Sequence, residues 1–567
     1  MIAHVGATSL LLAGWLFFGG DSESVPRSET IESLDDRTAE IPLAEPLAVD
    51  NYSALEQYRK YLELPEGDAD SRGEAMRRLG DLNLELGENT LSEAEITGLS
   101  TAFHLDAIRL YEQLLEKRDD YAKADTVLYQ LARAYESIGE TNKALATLDR
   151  LVREFPESQS VDEAQFRRGE ILFIGKSYAE AADAYAEVVN AATDSYFYQQ
   201  SLYKLGWAQF KLSQHDSSIA SFLDLLDLRL TGVDATELQQ QLEAMSRPDR
   251  ELVDDTLRVL SLTFSYLEGA TSLAQHVDQR DGTVYSFLLY KGLGELYLEK
   301  ERYLDAAETF AAFVVAEPVH TNAPLLSMQA IEAYRAGRFP SLVLEAKQAF
   351  VEAYGLDSDY WAFHTPADRP DVIEPLKLNL SDLAQHDHAE AQKSGEPEAY
   401  ARAAQWYRRY LQYFPDDPDS ARRSFLLGEI LMESHVYAEA TEFYLRAAYD
   451  YPGYEQAHEA GYAALLASRA QLGTLQGEAR QTWREQGFAQ ALRFARSFPA
   501  HPEAASVLTN TADDLYAAGQ LDRSIDVANE ALAISPPIPL KLQRVGWTIV
   551  AHGEFDRKNF AAAETAY

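Results

Sequence analysis

The stretch Ser286–Pro318 reads SFLLYKGLGELYLEKERYLDAAETFAAFVVAEP. Its small residues, aromatics and proline fall at steps of 3, 6, 3, 4 and 8 residues: Gly294, Tyr297, Tyr303, Ala306, Phe310 and Pro318. The pattern predicts two helices of about a dozen residues each, with small residues where the helices approach closely. Proline ends the second helix because it has no N–H and clashes with the preceding turn.

The same order of residues recurs along the chain. One copy contains Leu131, Ala132, Tyr135, Ala144, Leu148 and Pro156, and another contains Gly428, Leu431, Tyr437, Ala440, Tyr444 and Pro452. Tyr129, Phe166 and Tyr203 open three copies at a spacing of 37 residues. One helix pair cannot bury its apolar stripe alone, so neighbouring pairs must stack. The repeats therefore predict an all-α solenoid of antiparallel helix pairs.

The spacing resembles the tetratricopeptide repeat, whose period is about 34 residues. The longer period and the turns FPES (155–158) and DYPG (450–453) resemble the variant found in bacterial envelope proteins. These are the outer-membrane assembly lipoproteins of the BamD type and the cell-division coordinator family. The resemblance covers most of residues 52–567. It implies a right-handed superhelical solenoid whose role is to bind other proteins.

Composition argues against several functions. The formal net charge is −41, so nucleic acid is a poor partner because phosphate binding needs clustered Lys and Arg. The chain has no Cys, which removes disulfides and thiolate chemistry. It has no P-loop, no Gly-x-Ser-x-Gly motif and no dinucleotide fingerprint. We therefore expect no enzyme activity, no cofactor and no small-molecule substrate. A solvated acidic exterior or a basic partner would each account for the acidity.

Only one histidine pair invites a metal interpretation. His386 and His388 lie two residues apart, with Asp387 between them. Residues at this spacing do not face together on a helix, whereas a helical metal site needs a spacing of three or four. We therefore expect no metal site, and place both histidines at a solvated helix end or in a loop.

The chain divides into seven predicted regions. They are a signal peptide or N-terminal anchor (1–20), a disordered acidic spacer (21–50), repeats (51–230), an irregular helical insertion (231–284), repeats (285–354), an irregular linker (355–398) and repeats (399–567). The apolar run Leu10–Phe18 suits a signal peptide but lacks a positively charged start. LLLAGW resembles a lipoprotein signal with Trp15 in place of the lipidated Cys. Tyr567 falls within a second helix, so we expect the sequence to be a fragment.

A protein-binding surface is the best candidate site. In tetratricopeptide arrays the first helix of each pair lines the concave face. By repeat position this assigns Tyr129, Arg133, Glu136, Phe166, Glu170, Phe173, Tyr203, Trp207, Phe210, Lys291 and Glu295 to a stripe of aromatics edged by charge. Such a stripe suits an amphipathic helix or an extended peptide. The alternative is that these aromatics only pack one first helix on the next.

The sequence therefore predicts a non-catalytic scaffold of the bacterial cell envelope, with a possible N-terminal membrane tether. Its partners would be envelope proteins or peptides, in outer-membrane or envelope assembly. The alternative is a recruitment module of a longer protein whose remaining part carries a catalytic or membrane domain.

Overall fold

The computed structural model describes residues 51–65, 67–91, 97–118, 120–191, 193–230, 237–280 and 283–567. The predicted signal segment and acidic spacer (1–50) lie outside these residues. Across the described ranges the chain forms 26 α-helices and no strand, which confirms the all-α solenoid. None of these helices combines the length and apolarity needed to cross a membrane. The chain separates into two compact units, at Met1–Ser160 and Val161–Tyr567.

Among its described residues, the first unit contains five helices, each packed against the next along the chain. They are α1 (Asn51–Glu63), α2 (Ala69–Leu91), α3 (Thr97–Lys117), α4 (Ala124–Ser137) and α5 (Thr141–Glu154).

The second unit contains twenty-one helices in the described residues. They are α6 (Val161–Ile174), α7 (Tyr178–Ala191), α8 (Tyr198–Lys211), α9 (His215–Leu230), α10 (Leu238–Ala244), α11 (Arg247–Ser265), α12 (Ala270–Asp278), α13 (Ser286–Glu299), α14 (Tyr303–Ala316), α15 (Ala323–Ala336), α16 (Pro340–Tyr354), α17 (Pro370–Ser394), α18 (Pro397–Tyr413), α19 (Ser420–Glu433), α20 (Tyr437–Tyr449), α21 (Ala457–Thr474), α22 (Gly477–Ser497), α23 (Ala504–Ala517), α24 (Leu521–Leu532), α25 (Leu540–Asp556) and α26 (Phe560–Ala566).

A glycine and an aromatic ring sixteen residues later hold four of the regular pairs together. In α13 and α14, a Cβ added at Gly294 would overlap the ring of the fully buried Phe310. The same relation joins three further pairs, where the added Cβ would lie 2.5–2.9 Å from the ring: Gly169 with Tyr185, Gly206 with Phe222, and Gly428 with Tyr444. The ring therefore requires the small residue, because any Cβ there would occupy the space that the ring fills.

The turns inside the pairs are equally regular. Eight of them place a residue with positive φ two positions before the second helix: Gly139, Lys176, Ser213, Glu301, Arg338, His435, Gly519 and Lys558. At the end of the pair, α14 stops at Ala316, two residues before Pro318, as predicted.

The two interruptions in the repeat pattern contain ordered helices. In the first, α11 buries Thr256, Val259, Leu260 and Thr263 and packs against α9 and α13. In the second, the structure corrects the expectation of an irregular linker, because residues 370–394 form the 25-residue helix α17. Pro370 occupies its first turn, where no N–H is needed, and Pro375 is accommodated one turn later.

The helix α17 also corrects the placement of its histidines. His388 is buried, with its Nδ1 atom 3.4 Å from the hydroxyl oxygen of Tyr407, whereas His386 is exposed. The two side chains therefore do face apart, but they lie within a helix and not at a solvated end. Burial lowers the pKa of His388, which favours its neutral form.

Candidate functional site

The helix α8 presents the densest set of predicted site residues. Tyr203, Trp207 and Phe210 are half-buried on one face. The Trp207 ring lies edge-on to its neighbours, with its centroid 6.5 Å from that of Tyr203 and 5.6 Å from that of Phe210. Lys211 lies beside this group, its Nζ atom 5.8 Å from the Trp207 ring centroid. The structure therefore brings these three predicted residues together.

Two residues that the sequence analysis missed extend this group. Phe210 contacts His215, at the start of α9, and Tyr266, which follows α11, each with ring centroids 6.0 Å apart. His215 and Tyr266 stack at 5.8 Å, and Tyr266 is 62% exposed. Tyr266 comes from the predicted insertion, outside the repeat pattern, so repeat position could not assign it. We call Tyr203, Trp207, Phe210, His215 and Tyr266 the α8 aromatic surface.

The inner edge of the α8 aromatic surface is also part of the core. The Tyr203 hydroxyl donates a hydrogen bond to Asp255 of α11, and burial raises the pKa of this tyrosine. Tyr203 and Trp207 both pack against the fully buried Phe222, with ring centroids 6.0 Å and 6.2 Å away. Tyr203 thus connects α8 to α11, while exposure increases along the surface towards Tyr266.

The predicted residues of α6 are largely engaged within the fold. Glu170 accepts a hydrogen bond of 2.5 Å from the Tyr185 hydroxyl and forms an ion pair of 2.9 Å with Lys204. Phe166 stacks on Phe197 with centroids 5.3 Å apart. Phe173 lies edge-on to Tyr178 at 5.2 Å. Glu170 therefore has a structural role. It accepts the hydrogen bond of the Tyr185 hydroxyl, and the Tyr185 ring packs on Gly169.

The remaining predicted residues lie on α4 and α13. On α4, Arg133 forms an ion pair of 2.6 Å with Glu88, and Tyr129 and Glu136 are half-buried and make contacts of their own. This helix belongs to the first unit. On α13, Lys291 and Glu295 pair with each other at 3.7 Å. A partner would have to displace these ion pairs before it could use their charges.

The described residues include a surface that suits the binding of another protein. Among them, no group of three or more His, Asp or Glu side chains is arranged to hold a metal ion. The α8 aromatic surface instead combines rigid rings with one nearby cation. Aromatic side chains provide a large apolar contact at low entropic cost, which suits recognition of another protein.

Comparison with known proteins identifies the repeats. Models of the tetratricopeptide repeat match residues 103–159, 129–196 and 200–228. No curated protein matches the chain.

Solved structures also match. A tetratricopeptide repeat protein from Parabacteroides merdae is 14% identical, over 53% of this chain and 98% of that one, with a TM-score of 0.24. The C-terminal part of a TPR repeat-containing protein from Cytophaga hutchinsonii is 12% identical, over 61% and 98%, with a TM-score of 0.23. The structure of Naa15/Naa10 bound to HypK-THB is 11% identical, over 91% and 92%, with a TM-score of 0.26. The matched residues cover most of α3 to α9, and the chain therefore contains tetratricopeptide repeats within an all-α solenoid.

Proposed function

We propose that this protein is a non-catalytic scaffold of the bacterial cell envelope that binds partner proteins during envelope or outer-membrane assembly. Tetratricopeptide repeats generally mediate contacts between proteins, which supports the binding part of the proposal. The observation that carries it is the α8 aromatic surface, where half-buried Trp207 and Phe210 continue into the exposed Tyr266. The envelope part rests on the apolar run Leu10–Phe18 and on the resemblance of the repeats to envelope proteins.

The partner should present apolar side chains to this surface. Trp207 and Phe210 offer ring faces and edges, and Tyr266 adds an exposed ring beside them. Central aromatic residues account for most of the binding energy in many interfaces. We therefore expect an amphipathic helix or an extended segment, anchored by at least one large apolar residue.

Two variants test the surface in parallel. Trp207→Ala should weaken capture of an envelope partner by about 2 kcal/mol, or roughly thirty-fold. Tyr266→Ala should weaken the same capture with less effect on folding, because its side chain is already 62% exposed. Phe363→Ala is the matched control, since Phe363 is 70% exposed and lies outside the surface. Capture is measured by crosslinking in envelope fractions, followed by titration of the recovered partner.

The outcomes separate binding from folding. Circular dichroism and melting should show that Tyr266→Ala and Phe363→Ala fold like the parent. If all three variants capture partners equally well, the α8 aromatic surface is not the binding site. Recovery of the protein from the soluble cytosol with Met1 intact would contradict the envelope location.

A further inference from the structure

A cavity of about 330 Å³ lies between α21, α22 and α23. One part of its wall is apolar and includes Leu466 and Trp483. The other part carries three arginines, Arg469, Arg480 and Arg484. Leu466 is 45% exposed, so the cavity opens to the surface beside it.

The cavity exists because this helix pair is lengthened. In the regular pair, Gly294 precedes Pro318 by 24 residues, whereas here Gly461 precedes Pro499 by 38. The additional residues make α21 18 residues long and α22 21 residues long, against 14 for each helix of the regular pair. The added turns carry Arg480, Trp483 and Arg484.

One arginine of the cavity completes the local fold. Nη1 of Arg480 donates hydrogen bonds to the carbonyl oxygens of Leu472, at 2.9 Å, and Leu475, at 3.3 Å. These carbonyls lie at the C-terminal end of α21, where helical partners are missing. Arg480 therefore has a structural role, because its guanidinium group serves these carbonyls.

The other two arginines have no such hydrogen bonds to the backbone. Within the described part of the chain, neither Arg469 nor Arg484 forms an ion pair within 4.0 Å. Nε of Arg484 is buried and has no hydrogen-bond partner. The neighbouring Glu485 does not compensate, because it accepts hydrogen bonds from Gln520 and Arg523. A buried donor without a partner is costly, so this arrangement needs a reason.

The chain as a whole makes these arginines unusual. It contains 91 acidic and 50 basic residues, so an arginine has many potential partners. The two acids on the cavity wall, Glu503 and Asp514, are fewer than the three arginines. The aromatic wall is held in place, because the Trp483 indole N–H donates to the Ser468 carbonyl at 2.9 Å. The cavity thus combines a fixed apolar face with two arginines that form no ion pair within 4.0 Å, although both act electrostatically on Asp514.

We propose that this cavity binds a segment of a partner protein in which an Asp or Glu stands next to a large apolar residue. The guanidinium groups of Arg469 and Arg484 would receive the carboxylate, since arginine matches carboxylate geometry. Trp483 and Leu466 would receive the apolar side chain. A free anion would contact only the arginines and leave the apolar part of the wall without a partner. The proposal rests on the protein-binding function proposed above and adds a second site to it.

Selection from a displayed library of random 12-residue peptides tests the proposal on the full chain. The wild-type protein should enrich peptides that carry Asp or Glu beside a large apolar residue. Arg484→Gln should weaken binding of these peptides by about tenfold or more, as expected for a lost charge-assisted hydrogen bond. Arg469→Gln should weaken it too, and this exposed residue can be changed without disturbing the core.

The matched control is Arg496→Gln, which removes the same charge from the same helix. Arg496 pairs with Glu530 at 2.8 Å and does not line the cavity, so peptide binding should not change. Circular dichroism should show that all three variants fold. Equal loss in the control, no loss in the other two variants, or enrichment of peptides without an acid would each overturn the proposal.

Two substitutions in an enriched peptide identify what is recognised. Changing its acid to Gln should abolish the dependence on Arg484, and changing its apolar residue to Ala should also weaken binding. If only the first change matters, the cavity recognises a free anion and the peptide assignment is wrong. These variants lie on α21 and α22, whereas Trp207 lies on α8. A negative result at the cavity therefore does not affect the test of the α8 aromatic surface, and the reverse also holds.

Discussion

The α13–α14 pair and the α21–α22 pair share one packing unit but differ in length. In both, a glycine of the first helix faces an aromatic ring of the second: Gly294 meets Phe310, and Gly461 meets Phe494. The first pair stops after 14 residues in each helix. The second continues for several more residues, and the added turns enclose a cavity with arginines in its wall.

The difference suggests which residues of such an array are available to bind a partner. The glycine and the ring are committed to packing, because any larger residue at the glycine would collide with the ring. Residues inserted beyond the glycine–ring contact do not have to keep the repeat spacing. Arg469, Arg480 and Arg484 lie near or within such an insertion. The α8 aromatic surface follows the same rule, since its most exposed member, Tyr266, also comes from outside the regular pairs.

The largest effect is expected in the regular pair. Phe310→Ala should lower the free energy of unfolding by about 3–5 kcal/mol, because Phe310 is fully buried and the neighbouring helices cannot close the gap. Urea unfolding measures the loss, and amide exchange should show it concentrated in α13 and α14. The exposed Phe363→Ala serves as the control. If the Phe310 variant unfolds at the same midpoint urea concentration as the parent, the packing of Phe310 on Gly294 is wrongly assigned.

A smaller effect should distinguish the two glycines. Gly294→Ala should cost about 1–3 kcal/mol, because its new Cβ would overlap the Phe310 ring. Gly461→Ala should cost less, since the nearest atoms of Phe494 and Phe498 lie 3.0 Å from the new Cβ. Urea unfolding of both variants measures the difference. Combining Gly294→Ala with Phe310→Leu should recover part of the loss if the ring is its cause. Equal costs at the two glycines would mean that the pairs are equally tight.

Much of the fold was predictable because its determinants recur at fixed spacing. The spacing from Gly294 to Phe310 and Pro318 predicted both helices of the pair and the end of the second helix. The turns were less visible, because only two of the eight left-handed turn residues are glycines. The helix α17 was missed because Pro375 signals a break that tertiary packing overrides.

The candidate sites were harder to predict, for a physical reason. Repeat position grouped Tyr203, Trp207 and Phe210 correctly, but it could not show that Glu170 is used by Tyr185 or that Tyr266 lies beside Phe210. The arginine cavity depends on residues that interrupt the repeat. One signal was available: the long interval from Gly461 to Pro499, with two of the cavity's arginines in its inserted part.

The smallest effect concerns the acid in the cavity wall. Burial raises the pKa of Asp514, and nearby Asp513 adds to this, whereas Arg469 and Arg484 act to lower it. Because the pKa is higher in the folded than in the unfolded state, the carboxylate destabilises the fold fully above the folded-state pKa. The destabilisation shrinks as the pH falls below that pKa and is lost below the unfolded-state pKa of about 3.9. At about pH 7, Asp514→Asn should therefore increase the free energy of unfolding, by less than ~1 kcal/mol given solvent screening.

Urea unfolding of the parent and Asp514→Asn between about pH 7 and pH 3 measures this effect, since a carboxylate titrates in that window. The advantage of the variant should shrink as the pH falls through the raised pKa of Asp514 and disappear once the carboxylate is protonated in the unfolded chain as well. Asp513→Asn gives a comparison: Asp513 does not line the cavity, and its removal should lower the pKa of Asp514 and have a smaller effect than Asp514→Asn. An advantage for Asp514→Asn that grows towards low pH would mean that Arg469 and Arg484 already stabilise the carboxylate. The two arginines would then be satisfied within the chain, and the lengthened pair would have no more need of a ligand than the regular one.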